Sequence, residues 1–142
     1  MDFVSQLKDI SLFAMMDTGD LKKIAKLCQE HSFADGEVIT REGDHDGRLF
    51  VLVSGQVRVV KDLGGCHERQ VSTMGPRSYF GERALIDDFQ RTASVLADGP
   101  VTAISLDSQW NFREYIKKYP SLAMELLQNL ARRLRSSELK GC

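Results

Sequence analysis

The residues best suited to chemistry lie in one stretch, Phe80-Gly81-Glu82-Arg83-Ala84-Leu85-Ile86-Asp87-Asp88-Phe89-Gln90-Arg91-Thr92-Ala93-Ser94-Val95. A glycine and a carboxylate open a short helical turn, and an arginine stands just before a strand. A guanidinium grips an anion through two parallel hydrogen bonds, and free N–H groups at a helix start favour the same charge. A fixed carboxylate is the matching acceptor for a hydroxyl. An isolated Glu and Arg at this spacing also pair with each other across a loop. The small neighbours Gly81, Ala84 and Ala93 favour a ligand site instead.

One ligand class needs both parts together. A cyclic nucleotide carries a singly charged phosphate for Arg91 and a ribose 2′-hydroxyl for Glu82. Its purine would be buried against apolar side chains. The nine-residue interval from Glu82 to Arg91, with FGExAL before it and RTASV after it, resembles the phosphate-binding cassette of the cyclic-nucleotide-binding domain family. The resemblance extends to Gly36-Glu37-Val38-Ile39, to Glu42-Gly43-Asp44 and to Leu49-Phe50-Val51-Leu52-Val53-Ser54-Gly55-Gln56-Val57, which look like the family's early barrel strands. Leu7-Lys8-Asp9-Ile10-Ser11-Leu12-Phe13 is similar to its helical lead-in.

The resemblance implies a ligand-binding set of Gly81, Glu82, Ala84, Arg91, Thr92, Ala93 and Val71, with no catalytic and no metal residues. Glu82 would take the ribose hydroxyl and Arg91 the phosphate. Backbone N–H groups of Ala84, Thr92 and Ala93 would complete the cradle. Gly81 would let the backbone approach the sugar, and Val71 would sit against the purine. Thr92 bears on selectivity, since a hydroxyl there reaches the guanine amino group in family members that prefer cGMP; it is also an ordinary strand residue, so cAMP and cGMP both stay open. Arg77, in Gly75-Pro76-Arg77-Ser78-Tyr79, stands where many members carry glycine.

The remaining chain must position this cassette. Its 142 residues suit one domain, and 42% hydrophobic with 27% charged residues is an ordinary globular mixture. Leu21, Ile24, Ala25, Leu27 and Cys28 recur at helical spacing, with Asp17 or Thr18 as cap. From Val38 to Leu106 short β-branched runs alternate with glycines that read as turn punctuation. After Leu106 the helical pattern returns, with Asp107 or Ser108 as cap and Trp110, Phe112, Tyr115, Ile116 and Tyr119 as apolar positions. Pro120 interrupts it before a last stripe of Leu122, Leu126, Leu127, Leu130, Ala131 and Leu134.

The expected fold is mainly β with flanking α-helices, a double-stranded β-helix or jelly-roll-like barrel. A single domain spans 1–142: N-terminal helices to about 35, the barrel over 36–106 with its cassette at 80–95, and C-terminal helices over 107–142. The terminal helix is expected to move on binding, with Arg132, Arg133 or Arg135 able to stack on or bond to the purine edge. It would also be where a second copy or an effector protein docks.

Other classes fit less well. The net charge of −1 argues against a chain that coats nucleic acid. The Pro120-to-Arg135 segment resembles the helix leading to the dimerisation region of catabolite-activator-type regulators, so this could be the sensor half of one. No recognition helix follows it, and DNA binding by this chain alone is not expected. His31, His45 and His67 lack the clustering of a cupin metal site and read as surface residues. Cys28, Cys66 and Cys142 supply neither a zinc knuckle nor a four-cysteine iron–sulfur set. A ligand-free interaction domain would not need intact Glu82 and Arg91. No apolar run approaches the roughly 18 residues of a membrane helix, and no leader pattern opens the chain. The expectation is a cytoplasmic, non-enzymatic sensor with no cofactor besides its cAMP or cGMP ligand.

Overall fold

The computed structural model describes residues 3–82, 90–107 and 112–140. Its elements run α1 (Phe3–Lys8), α2 (Thr18–Ala25), β1 (Cys28–Phe33), β2 (Val38–Thr40), β3 (Leu49–Lys61), β4 (Arg69–Met74), β5 (Tyr79–Phe80), β6 (Ser94–Leu106), α3 (Phe112–Lys118) and α4 (Ser121–Lys140). The candidate caps Ser108 and the apolar Trp110 lie outside the described residues. Among the described residues no helix is long and apolar enough to cross a membrane.

Asp17 starts α2, because its carboxylate accepts the Asp20 N–H at 2.9 Å. That bond satisfies a donor which a helix's first turn leaves open. The helix ends at Ala25, earlier than its spacing predicts, and Leu27 is exposed. Cys28 already belongs to β1, which pairs with β6 from Cys28↔Leu106 to Phe33↔Val101. The sheet therefore begins near residue 28 and not 36. Pairing with a long central strand overrides the local helical pattern there.

β3 and β6, 13 residues each, carry the sheet. All pairings are antiparallel, in the order β1-β6-β3-β4, with β2 also on β6 and β5 on β3. Since β1 and β4 stand at the two ends of this order, the sheet is bent but not closed as a barrel. Residues 49–53 and 57–60, on either side of Gly55, belong to one strand, as do residues 94–98 and 100–106 on either side of Gly99. Gly55 and Gly99 are not turns between strands but bends within them, at φ +89° and +83°. The β3–β6 register shifts on both sides of Ser54. Beyond the bend β6 changes partners: Val95 and Leu96 meet β2, whereas Val101 to Leu106 meet β1.

Alternation along these strands divides the interior in two. Leu49, Val51, Ile104 and Leu106 face a core shared with Leu7, Phe13, Leu21, Ile24, Phe112, Leu122 and Leu126 of the helical layer. Phe50, Leu52, Val101 and Ala103 face a second core with Ile39, Val57, Phe80 and Val95. Both faces of the strands are covered, which is why Leu49-Phe50-Val51-Leu52 reads as a continuous apolar run.

The helical layer is fastened to itself by a polar tie. The Tyr119 hydroxyl donates to Asp20 Oδ2 at 2.6 Å and accepts the Asp17 N–H at 3.1 Å, while Lys118 Nζ stands 2.9 Å from Asp20 Oδ2. The end of α3 is thereby fixed on the start of α2, just before Pro120 frees α4 to take its own direction.

Gly55 offers a direct test of the bend. A Cβ there would overlap the Pro100 carbonyl oxygen and press on Val101. Gly36, at φ +80°, has nothing within 4 Å of that position. Denaturant titration should show Gly55→Ala losing at least about 2 kcal/mol, and Gly36→Ala about 1 kcal/mol from backbone strain alone. Equal losses would show that close approach at the bend is not the constraint.

Candidate functional site

A cavity of about 930 Å³ opens between the sheet and α4. Val59 and Lys61 of β3, Val71 and Met74 of β4, Phe80 and Val95 line its sheet side, and Asn129, Leu130 and Arg133 line its helix side. Of the predicted site residues, Gly81, Glu82, Arg91, Thr92, Ala93 and Val71 all line this one cavity. Ala84 lies outside the described residues, as does the helical turn expected after Glu82.

Arg91 is 8% exposed and held from beneath. Its Nη2 donates to the Arg48 carbonyl and lies 3.5 Å from Asp46 Oδ1. The backbone on either side is clamped to the loop before β3, since the Arg91 N–H donates to the Asp44 carbonyl and the Gly43 N–H to the Arg91 carbonyl. Burial pulls the guanidinium's affinity for its proton below the usual value, and Asp46 offsets part of this. Asp46 itself feels burial pushing upward. The guanidinium groups of Arg48 and Arg91 outweigh it and hold the carboxyl below the usual range. Asp46 also accepts from Arg48 Nε at 2.9 Å and from Thr40 Oγ1 at 3.3 Å.

This arrangement corrects one expectation and adds a second reason for a glycine. Glu42-Gly43-Asp44 is not part of a barrel strand but of the loop that seats Arg91. Gly81, at φ +87°, makes room for the arginine: a Cβ there would overlap Arg91 Nη1 and the Arg48 carbonyl.

Glu82 and Arg91 do not neutralise each other by direct contact; each has another partner. Glu82 is 1% exposed, and its Oε1 receives Arg133 Nη1 at 2.7 Å and Asn129 Nδ2 at 3.4 Å. Arg133 Nη2 also donates to the Tyr79 carbonyl at 2.8 Å. Two polar atoms are left over. Glu82 Oε2 and Arg91 Nε are both buried without a hydrogen-bond partner. Each such atom costs about 1–3 kcal/mol if nothing meets it, so a carboxylate acceptor and a guanidinium donor left open in one cavity describe a site built for a ligand.

α4 lies over this cavity by a face that coincides only in part with the predicted leucine stripe, with Leu130 and Leu134 lining the cavity beside Asn129 and Arg133. Leu122 and Leu126 are buried, but Leu127 and Leu134 are exposed. The packed side continues through Glu125, Asn129 and Arg133, with Glu125 Oε1 accepting from Ser11 Oγ at 2.7 Å. Of the three candidate arginines, Arg133 is the one bound to the cassette. Asp46, Asn129 and the Tyr79 carbonyl were not singled out from the sequence. The acidic, glycine-bounded run Asp44-His45-Asp46-Gly47 was the available sign of a supporting loop.

His31 is half-buried on the sheet rather than free on the surface. Its Nε2 lies 2.8 Å from Ser105 Oγ and its ring packs near Phe33 and Phe50. Burial first, and then Arg48, holds its pKa below the usual value. Arg77 adopts φ +73°, the left-handed conformation a glycine would take without strain. Among the described residues no cluster of His, Cys, Asp or Glu could hold a metal ion.

Comparison with known proteins identifies the family. The chain is 31% identical over 124 residues to the CRP-like cAMP-activated global transcriptional regulator of Mycobacterium tuberculosis, covering 87% of this chain and 55% of that protein. It is 33% identical over 108 residues to the cGMP-dependent protein kinase egl-4 of Caenorhabditis briggsae, covering 75% and 14%. The fold matches the regulatory domain of Toxoplasma gondii PKA crystallised with cAMP at a TM-score of 0.73 and 26% identity, over 92% of this chain and 49% of that one. The chain thus spans about half the length, or less, of these relatives. Residues 30–119 match the family model described as the cyclic nucleotide-binding domain, and the chain belongs to that family.

Proposed function

We propose that this chain is a regulatory module that binds cAMP or cGMP without transforming it and signals through its C-terminal helix. The observation that carries the reading is the pair of open, buried polar atoms in one cavity, Glu82 Oε2 and Arg91 Nε. A ribose 2′-hydroxyl donates to the first. An anionic cyclic phosphate accepts from the guanidinium of the second, with backbone N–H groups of Thr92 and Ala93 beside it. Val71 and Val59 form an apolar floor for the purine. Charge-assisted bonds contribute about 1.5–3 kcal/mol each, so two or three with purine burial reach micromolar affinity. The cAMP named in the mycobacterial and Toxoplasma relatives, and the cGMP in the nematode kinase, support this ligand class.

Glu82 links ligand to helix. Its Oε1 holds Arg133 of α4 while Oε2 stays open, so sugar and helix use different oxygens of one carboxylate. A ligand that covers the cavity side of this pair strengthens the attraction between Glu82 and Arg133, because Coulomb attraction grows as the surroundings lose polarity. Binding and helix closure then favour each other, by the differential affinity of the ligand for the closed state. The outward face of α4 exposes Met124 and Leu127, an apolar surface for a second copy of the chain or an effector to read.

Calorimetric titration should show Arg91→Ala weakening cyclic nucleotide binding by at least about tenfold, from loss of a charge-assisted contact. Wild-type affinity in that variant would remove Arg91 from the site. In hydrogen exchange, residues 122–134 should gain protection with ligand together with the cassette. With Arg133→Ala the cassette should still gain protection while α4 gains little. If α4 exchanges identically with and without ligand in the wild type, it is a fixed packing element and the signalling reading fails.

A further inference from the structure

We propose that Arg77 and Arg132 form a second anion subsite, in which a phosphate group bridges the turn before β5 to α4 and holds the helix on the barrel. Its effect on nucleotide binding rests on the reading above; the subsite itself does not.

The cavity carries more positive charge than one cyclic nucleotide uses. Lys61, Arg69, Arg77, Arg91, Arg132 and Arg133 line it, against the carboxylates of Glu82 and Glu125. Glu82 pairs with Arg133, Asp46 stands beside Arg91, and Glu125 accepts from Ser11 Oγ at 2.7 Å and from the Tyr79 hydroxyl at 3.5 Å. Among the described residues the Arg77 side chain has no hydrogen bond or ion pair, and Arg132 Nε reaches only the Gln128 carbonyl of its own helix, at 3.3 Å. A cleft lined by one sign of charge concentrates ions of the other.

One contact brings these two arginines together. Arg133 Nη2 donates to the Tyr79 carbonyl at 2.8 Å, which ties α4 to the start of β5. Arg132 immediately precedes the donor residue, and Arg77 stands two residues before the acceptor. Arg77 also leaves a fixed backbone, because its N–H donates to the Leu52 carbonyl and the Leu52 N–H to the Ser78 carbonyl, both at 2.9 Å. Its φ of +73° is a conformation that glycine adopts without strain and other residues rarely take. A long cation is therefore kept where the backbone favours no side chain. Ser78, next in the chain, also lines the cavity and adds a neutral donor.

Two guanidinium groups at one contact repel each other, and a phosphate between them reverses the sign. Each can meet it with two parallel hydrogen bonds. One arginine belongs to the barrel and the other to the helix, so both hold the anion only when the helix is closed. The anion then favours closure by its differential affinity for that state. A nucleotide that favours the same state binds more tightly in its presence. The phosphate can come from two sources, a separate anion or the second phosphate of a two-phosphate nucleotide seated at Arg91 and Glu82.

Calorimetric titration of the whole chain separates these sources. The tighter-binding of cAMP and cGMP is titrated in millimolar inorganic phosphate and in chloride of the same ionic strength, and a cyclic dinucleotide is titrated in chloride. In the wild type, phosphate should raise the affinity for the cyclic nucleotide by about fivefold, or the cyclic dinucleotide should bind about fivefold more tightly than the cyclic nucleotide. Arg77→Gly removes the cation and suits the backbone. It should bind the cyclic nucleotide in chloride within about twofold of the wild type and lose whichever gain the wild type shows. If phosphate acts no differently from chloride and the dinucleotide binds no more tightly, or if Arg77→Gly keeps the gain, the subsite is overturned and the cyclic nucleotide reading stands. If the wild type binds no nucleotide, hydrogen exchange decides: phosphate that protects residues 122–134 in the wild type and not in Arg77→Gly upholds the subsite alone, and phosphate without that effect overturns both.

Discussion

The site depends on keeping one arginine charged beneath the surface. A buried guanidinium is expensive unless its charge and donors are met, and the chain meets those of Arg91 from a loop nearly fifty residues away. Asp46 supplies the countercharge, the Arg48 carbonyl an acceptor, and Asp44 with Gly43 a backbone clamp on each side. Gly81 supplies the space in which the guanidinium lies. What remains open is one edge of the group, its Nε. The fold has thus desolvated an arginine without consuming it, which is the condition for a cation that grips an anion strongly and selectively.

The bent sheet is what brings these pieces together. Gly55 and Gly99 let β3 and β6 change partners midway, so that one half of the sheet backs onto the helical core and the other forms the cavity floor. The helical layer is pinned by Asp17, Asp20, Lys118 and Tyr119 up to Pro120. α4 begins where this anchorage ends and reaches the cassette through Asn129 and Arg133. Its ion pair to Glu82 falls at the cavity end and its buried leucines, Leu122 and Leu126, at the anchored end.

Much of this was legible because it depends on residue type at short range. The cassette was visible from Gly81, Glu82, Arg91 and Thr92, since a charge pair among small residues needs few positions to be recognised. The cap at Asp17 and the break at Pro120 are local rules, and both elements begin accordingly. Most of the misreadings involve pairing across the sheet. Leu27 and Cys28 extend a helical pattern, yet β6 takes Cys28 as a strand residue. Gly55 and Gly99 look like turns because the sequence does not reveal that the strands on either side keep the same neighbour. Asp46 was invisible as Arg91's countercharge because nothing local links a loop at 42–48 to the residues that lead into β6.

The terminal helix shows the same limit more sharply. Its leucines suggested an apolar stripe, and the fully buried part of that stripe ends at Leu126. Beyond it the side facing the protein is Asn129 and Arg133, because the surface beneath is no longer core but a buried carboxylate and the Tyr79 carbonyl. A helix end held by one ion pair and two hydrogen bonds is more weakly fastened than one held by buried leucines, since each polar contact is offset by the water it displaces. The gradient along α4, from apolar anchorage to polar contact at Glu82, therefore makes its far half the segment whose position depends most on what occupies the cavity.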